Sequence, residues 1–310
     1  MRHVITGATG LIGKRLIEHW LDQKHDITIV GRTKKRIEKQ FGHSVRAVTW
    51  DTLSSDDLKS AAVVVNLAGA SVGDKRWSDA YKKEIISSRV ESTKKLVSLL
   101  MELKENSPRL LNASAIGIYG LQTQSAEGLP PALDEDKPID WGHPKDFLSL
   151  VGQEWEKAAE PAINQGIKVV FMRFGVVLAK DGGALPKLVR PFQFFVGGPI
   201  GTGNQAFSWV AIDDVIRAID FLANKPDASG PYNIVAPKCV RERELAQTIA
   251  KVMGRPNVVR MPVFILERML GKEMTRELLL EGQHVYPRRL LDVGFTFTYS
   301  DIESALYHLK

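Results

Sequence analysis

The first part of the chain alternates short, unbroken apolar runs with longer amphipathic stretches. "RHVIT" is a brief apolar run that stops at a glycine-rich turn, which predicts a buried strand. "LIGKRLIEHWLDQ" then sets Leu11, Ile12, Leu16, Ile17, Trp20 and Leu21 at helical spacing. "DITIVGR", "VRAVTWD" and the valine-rich "AAVVVNLAG" predict three more strands. The last has no polar alternation, which suits a strand covered on both faces. A long helix is predicted from about Asp79 to Lys104 and a fifth strand in "RLLNASAIGIYG". A helix follows from "DFLSLVGQEWEKAAE" to about Asn164, then a sixth strand across "KVVFMRFGVVL". Regular strand–helix alternation predicts an α/β fold of Rossmann type, a doubly wound parallel sheet.

The pattern changes after about Ala179. "KDGGALPK", "VGGPIGTGNQ" and "NKPDASGPYN" are Gly/Pro-rich loops between shorter elements, and "RERELAQTIAKVMG" reads as an amphipathic helix capped by Gly254. The expected division is a dinucleotide-binding domain over residues 1–178 and a smaller, mixed C-terminal substrate lobe over 179–310. "FSWVAIDDVIRAIDFLA" suggests that parts of 205–235 return to the first domain, so the boundary is expected to be discontinuous.

Composition narrows the classes. The 310 residues are 44% hydrophobic and 25% charged, which is globular and long enough for a sizeable core. No stretch approaches the roughly 18–20 apolar residues of a membrane span, and "MRHVITGATGLIG" does not read as a signal peptide. Cys239 is the lone cysteine, so no internal disulfide forms, and a cytoplasmic setting is expected. The net charge of +6 favours acidic partners. The basic residues are scattered, without zinc-ligand spacing or a basic–aromatic stripe, which argues against nucleic acid. The one dense cluster is Arg32, Lys34, Lys35, Arg36 and Lys39. For Lys35 and Lys39, a solvated helix face is the better reading. A homo-oligomer is compatible with the sequence and not specified by it.

"ITGATGLIG" sets Gly7, Gly10 and Gly13 at G-x-x-G-x-x-G spacing, directly after a strand and opening a helix. The first glycine permits the tight turn, the second lets backbone approach a diphosphate, and the third lets helix and strand pack closely. Gly7, Ala8, Thr9, Gly10, Leu11, Ile12 and Gly13 are therefore the candidate diphosphate cradle at a helix N-terminus. A tight strand–helix turn with no ligand is the plainer alternative. NAD-binding folds usually place a carboxylate at the end of the second strand. Here "IVGRT" offers Arg32, which suits a 2′-phosphate and does nothing for a bare hydroxyl. The expected cofactor is therefore NADP(H), with Lys34 or Lys35 as supplementary charge. Asp51 is a candidate acceptor for the adenine amine or else an ordinary strand-end cap. Leu67, Ala68 and Gly69 of "NLAG" are expected beside the cofactor ribose.

Together these residues resemble the extended and atypical short-chain dehydrogenase/reductases. Within them the resemblance is to epimerase-like proteins often labelled nucleoside-diphosphate-sugar epimerase or cell-division inhibitor. It runs nearly end to end, through "KRWSDAYKKEIISSRVEST", "SAIGIYG", "FMRFGVVLAKDGGALPKL", "GGPIGTGNQAFSWVAIDD", "GPYNIVAP" and "PRRLLDVGFTF". It implies NADP(H) and a small-molecule substrate such as a nucleotide sugar, with no substrate assigned.

The resemblance also implies a serine, a tyrosine and, four residues after the tyrosine, a lysine. Ser114 is the best match for the serine, although the usual position relative to the YG tyrosine holds Ala115. Tyr119 takes the role of shaping the pocket. None of the six tyrosines has a lysine four residues later. By alignment on Trp155–Glu156, the pair falls on Leu148 and Gly152, within a Phe147–Gly152 stretch that would make the nicotinamide surroundings apolar. Glu135, Asp136, Lys75, Arg76 and Lys82 are candidate replacements, each more simply a solvated loop charge. His143 reads as structural or solvated. Trp77, Phe207 and Trp209 could line a pocket or anchor loops, and Arg288 and Arg289 could hold an anion or end a helix. The expectation is an epimerase-like oxidoreductase without its usual acid–base pair, or a cofactor-binding regulator without turnover.

Overall fold

The computed structural model describes residues 1–124 and 128–310. The strands of the main sheet are β1 (Arg2–Thr6), β2 (Asp26–Gly31), β3 (Arg46–Thr49), β4 (Val63–Asn66), β5 (Arg109–Ala115) and β6 (Val169–Phe174). Two small sheets hold β7 (Val176–Ala179), β8 (Gly182–Gly183), β9 (Ala206–Phe207), β10 (Trp209–Ala211) and β12 (Val240–Arg241); β11 (Gly230–Ile234) is the seventh strand of the main sheet. The main order is β11-β6-β5-β4-β1-β2-β3, and every pair in it is parallel. This is the Rossmann-type doubly wound sheet.

Neighbouring residues of one strand serve opposite layers. Ile5, Val63, Val65 and Leu111 pack with α1 (Leu11–Asp22), whose Leu16, Ile17 and Trp20 are fully buried. Val4, Val64 and Leu110 pack on the other face, which α3 (Ser55–Leu58) and α4 (Asp79–Glu102) cover through Leu58, Leu96 and Leu100. Burial on both faces explains the absence of polar alternation in these strands. The short helix α2 (Lys34–Phe41) buries only Ile37 and leaves its basic residues in solvent.

Two expected elements divide. "KVVFMRFGVVL" breaks at Gly175 into β6 of the main sheet and β7 of a small one. A Cβ there would lie 2.7 Å from Val235 and 2.8 Å from the Ser208 carbonyl, so crossing segments occupy the space. The predicted helix to Asn164 is α5 (Phe147–Lys157) followed by a separate α6 (Glu160–Asn164), which restarts at Pro161.

After α7 (Leu185–Gln193), α8 (Ile212–Ala223) returns to the main sheet, packs beside α1 and accepts the Trp20 indole N–H on Asp220 at 2.8 Å. The fully buried Asp214 of α8 accepts from the backbone of Thr298 and Tyr299, which fastens the C-terminal segment. The later helices are α9 (Glu242–Met253), α10 (Val263–Leu270), α11 (Lys272–Thr275), α12 (Arg288–Asp292) and α13 (Ile302–Leu309). Gly254 ends α9 in the left-handed conformation expected of a helix cap.

Candidate cofactor crevice and its surroundings

The strand order reverses between β1 and β4, and a crevice at such a point is where ligands bind open parallel sheets. The glycine turn leaves β1 there. Gly7 has φ +70°, and a Cβ on it would lie 2.3 Å from the Leu67 carbonyl. A Cβ on Gly13 would lie 2.4 Å from the Gly7 carbonyl. Both glycines are demanded by the protein's own packing. Gly10 differs: a Cβ on it would meet only the Gly7 carbonyl, at 3.2 Å, and the residue is exposed at the start of α1. Its outer side is open for a ligand to approach backbone N–H groups, so the cradle fits a diphosphate.

A fully buried polar cluster forms the crevice floor. The Thr6 hydroxyl donates to Asn66 Oδ1 at 2.6 Å and accepts from the Leu67 N–H. The Asn66 amide donates to Thr93 and Asn112. This ties the ends of β1, β4 and β5 to α4, and it fixes where Leu67, Ala68 and Gly69 emerge. Arg32 and Asp51 lie exposed just beyond β2 and β3, on the side of the crevice where the main sheet ends at β3.

On the other side, α5 packs against the tight turn Ile116–Tyr119 that follows β5. A Cβ on Gly117 would sit 3.1 Å from Leu148, and one on Gly152 2.7 Å from Ile118. Phe147 is buried edge-on against Trp77, with the Lys82 ammonium 4.5 Å from its ring centre. The N–H groups of Phe147 and Leu148 both donate to the Glu277 carboxylate, at 3.1 and 2.9 Å. Burial raises the Glu277 pKa. The C-terminal segment thus caps the helix that carries these positions.

Ser114, one residue before the end of β5, has its hydroxyl buried and donating to Glu156 Oε1 at 2.6 Å. Glu156 takes two further bonds from the Arg173 guanidinium, both at 2.8 Å, in a pair that is almost wholly buried. Burial alone would lower the Arg173 pKa, but the Glu156 carboxylate and Tyr119 hold it up. Arg173 also donates to the Tyr119 hydroxyl at 3.0 Å, and Tyr119 donates to Asn233. Burial raises the Tyr119 pKa, so its phenol is neutral. Asn233 continues the chain to Glu135, which accepts from the backbone N–H groups of Asn233 and Arg289.

Several of the other sequence-selected residues sit differently from their simplest reading. Glu135 is no solvated loop charge: it is buried, and burial raises its pKa. Lys82 pairs with Glu273 at 2.6 Å. Trp209 is fully buried core, donating to the Lys238 carbonyl. Trp77 anchors its own loop through the Val72 carbonyl. Arg288 pairs with Asp134 and Asp136, while Arg289 donates to the carbonyls of Ser229 and Pro231, so neither is held ready for an anion. Asp136 is exposed, and His143 is exposed beside Asp140. Lys75, Arg76 and Phe207 are not drawn into the Ser114 network. Burial pushes the Cys239 thiol up to about 11, which makes it a poor nucleophile at neutral pH. Among the described residues no cluster of side chains suits a metal ion, and no helix is long and apolar enough to cross a membrane.

Sequence reading missed Glu156, Arg173, Arg89 and Glu277. Two signals were available. Arg173 interrupts the apolar run "VVFMRF", and a charge inside a buried strand requires a partner. The buried face of α4 runs Tyr81, Ile85, Arg89, Ser92, Leu96, so helical spacing carries it through Arg89.

The comparisons agree with this architecture. Residues 3–235 match the NAD dependent epimerase/dehydratase family, and residues 261–309 match a domain of unknown function. An epimerase family protein of Staphylococcus haemolyticus is 38% identical, with 99% of this chain and 98% of that protein aligned. A chloroplastic homologue of epimerase family protein SDR39U1 from Arabidopsis thaliana is 37% identical over 97% of this chain and 84% of its own length. Among solved structures, human epimerase family protein SDR39U1 with NADPH superposes with a TM-score of 0.83 at 30% identity, covering 100% of this chain and 99% of that one. A nucleoside-diphosphate sugar epimerase from Corynebacterium glutamicum gives 0.77 at 30% identity, covering 100% of this chain and 58% of that one. The chain belongs to the NAD dependent epimerase/dehydratase family.

Proposed function

We propose that this protein binds NADP(H) in the crevice between β1 and β4 as an epimerase-like oxidoreductase that lacks a Tyr–Lys pair and turns small molecules such as nucleotide sugars over only slowly. The observation that carries the cofactor assignment is the contrast within the glycine turn. Gly7 and Gly13 are closed by the protein's own backbone, whereas Gly10 opens outward at a helix N-terminus. The relative solved with NADPH supports the choice of cofactor. In this reading Arg32 pairs with the 2′-phosphate, Asp51 accepts from the adenine amine, and Leu67–Gly69 flank the ribose. The bound cofactor supplies hydride exchange at its nicotinamide. This chain's residues supply the cradle, the charge and an apolar wall of Phe147 and Leu148.

For chemistry, Ser114 is the remaining hydroxyl of the expected trio. Its hydrogen is given to Glu156, so its oxygen offers a substrate only an acceptor. Side-chain packing between α5 and the Ile116–Tyr119 turn favours a second reading, a cofactor-binding sensor without turnover. Titration of the purified protein with NADPH, followed by a nucleotide-sugar panel, separates the two. No binding overturns both, while binding with rapid turnover removes the sensor.

A further inference from the structure

Among the described residues, the buried Arg89 cation has no counter-charge. It lies on α4 and is only 9% exposed, and among the described residues no carboxylate pairs with it. Its Nη1 donates to the carbonyls of Ala70 and Ile85, both at 2.9 Å, while Nε is buried without any acceptor. One face of the guanidinium stacks 4.8 Å from the centre of the Trp155 ring. Gly69 lies close on another side, where a Cβ would be 3.1 Å from the guanidinium carbon. Burial pulls the Arg89 pKa down to about 10, opposed only by the nearby Tyr81 phenol and by no described carboxylate.

Isolated buried charges are costly and are normally paired. Among the described residues no such partner is present, and the surroundings say where it belongs. Gly69 is exposed, and the Leu67–Ala70 segment that Arg89 supports abuts Gly7 at the glycine turn. Beyond that thin layer of backbone is the crevice, where the fold receives a polyanionic dinucleotide. We propose that Arg89 is a cofactor-binding residue, a buried unpaired cation that holds the dinucleotide's diphosphate-bearing portion on the Leu67–Ala70 segment from beneath. The proposal rests on the reading that the crevice binds a dinucleotide. Trp155 and the two carbonyls fix the guanidinium, and Gly69 lets it approach closely. Because the charge acts on the part common to both cofactors, it does not select between NADPH and NADH. Arg32 does that.

The test compares Arg89→Met and Arg89→Lys with the unaltered protein, by fluorescence titration with NADPH and with NADH and by thermal unfolding without cofactor. Arg89→Met is expected to weaken both cofactors by a similar factor of about ten, equivalent to about 1.4 kcal/mol. Its melting temperature without cofactor should be unchanged or higher, since an uncompensated charge has been removed. Arg89→Lys should keep most of the affinity. Unchanged affinity in Arg89→Met overturns the proposal, as does equal loss in Arg89→Lys. A large fall in cofactor-free melting temperature with normal affinity overturns it too, because the role is then structural. If Arg89→Met does not accumulate folded, Arg89→Gln replaces it; failure of every neutral variant to fold has the same meaning. Failure of the unaltered protein to bind either cofactor strikes the dinucleotide reading instead.

Discussion

A Cβ on Gly152 would stand 2.7 Å from the Cβ of Ile118 and 2.9 Å from its Cα. Helix α5 therefore rests directly on the turn after β5. The position aligned with the family's lysine has no volume for any side chain, and Leu148, one turn earlier, fills the space over Gly117. On the proposed alignment, absence of the Tyr–Lys pair is built into the helix packing, beyond a change of two residue types.

It follows that restoring the pair should fail. Replacing an exposed helical glycine by alanine gains about 1 kcal/mol from propensity. Overpacking a closed core costs about 1–3 kcal/mol, and here the obstacle includes backbone. Gly152→Ala should therefore be destabilising, and Leu148→Tyr with Gly152→Lys more so. Denaturant unfolding measures both; a stabilised Gly152→Ala would show that the two elements are more loosely packed.

Gly10→Val should leave a cooperative thermal transition yet abolish NADPH binding, because its added side chain faces the open side of the cradle. Gly7→Val should fail earlier, at folding, where φ +70° and the Leu67 carbonyl both oppose it. Normal binding by Gly10→Val would reduce the motif to a structural turn.

The glycine turn, the strand–helix alternation and the end of β4 were legible because local pattern encodes them: unbroken apolar runs, helical spacing and a turn needing small residues. The break at Gly175 was not, since apolar residues on both sides read as one strand, and only the crossing of Val235 and Ser208 requires the division. Glu277, Glu156 and Arg173 escaped for a related reason. A charge in sequence looks solvated until tertiary packing brings Glu277 from the C-terminal segment to the N-terminus of α5, or Glu156 from α5 to β6. Arg89 hid in a mixed-charge stretch, "KKEIISSRVEST", where Lys83, Glu84 and Glu91 are exposed.

Arg32 should set cofactor preference. A charge-assisted contact to the 2′-phosphate is worth about 1.5–3 kcal/mol, or roughly ten- to a hundredfold in affinity. NADPH should bind more tightly than NADH, and Arg32→Ala should remove most of that difference while leaving NADH affinity little changed. Because Arg32 is exposed, the preference should shrink with added salt. Equal affinities in the unaltered protein would remove Arg32 from the site.

Glu242 should make stability depend on pH. It is buried and accepts from the Ile200 N–H, and burial pushes its pKa up from 4.5 to about 7. A carboxyl that prefers its neutral form when folded lends full stability below about pH 4.5. That contribution is lost as pH rises through about 7. At about 1.4 kcal/mol per unit, the effect is on the order of 3 kcal/mol. Glu242→Gln keeps an acceptor for Ile200 and removes the titration. It should match the unaltered protein near pH 4.5 and exceed it in melting temperature at pH 8. A variant less stable at pH 8 would show that the ionised carboxylate is favoured in place.

The remaining prediction concerns turnover. A phenol poised to exchange a proton with a substrate hydroxyl typically contributes about 10²–10⁴ in rate. Here the aligned position is Leu148, its lysine partner is Gly152, and Tyr119 is buried, neutral and committed to Arg173 and Asn233. Ser114 cannot take the phenol's place in that exchange while it donates to Glu156. Purified protein with NADP⁺ should therefore convert common nucleotide sugars and simple alcohols barely above background. NADPH should nevertheless raise its melting temperature, since binding rests on Gly7, Gly10, Gly13 and Arg32 and occurs only in the folded state. Absorbance at the nicotinamide band and NMR of the sugar products read the two halves separately. Turnover in the ordinary range of about 1–10³ per second would mean that another group reaches the nicotinamide. Lys82, already 4.5 Å from the Phe147 ring centre, would be the first residue to substitute.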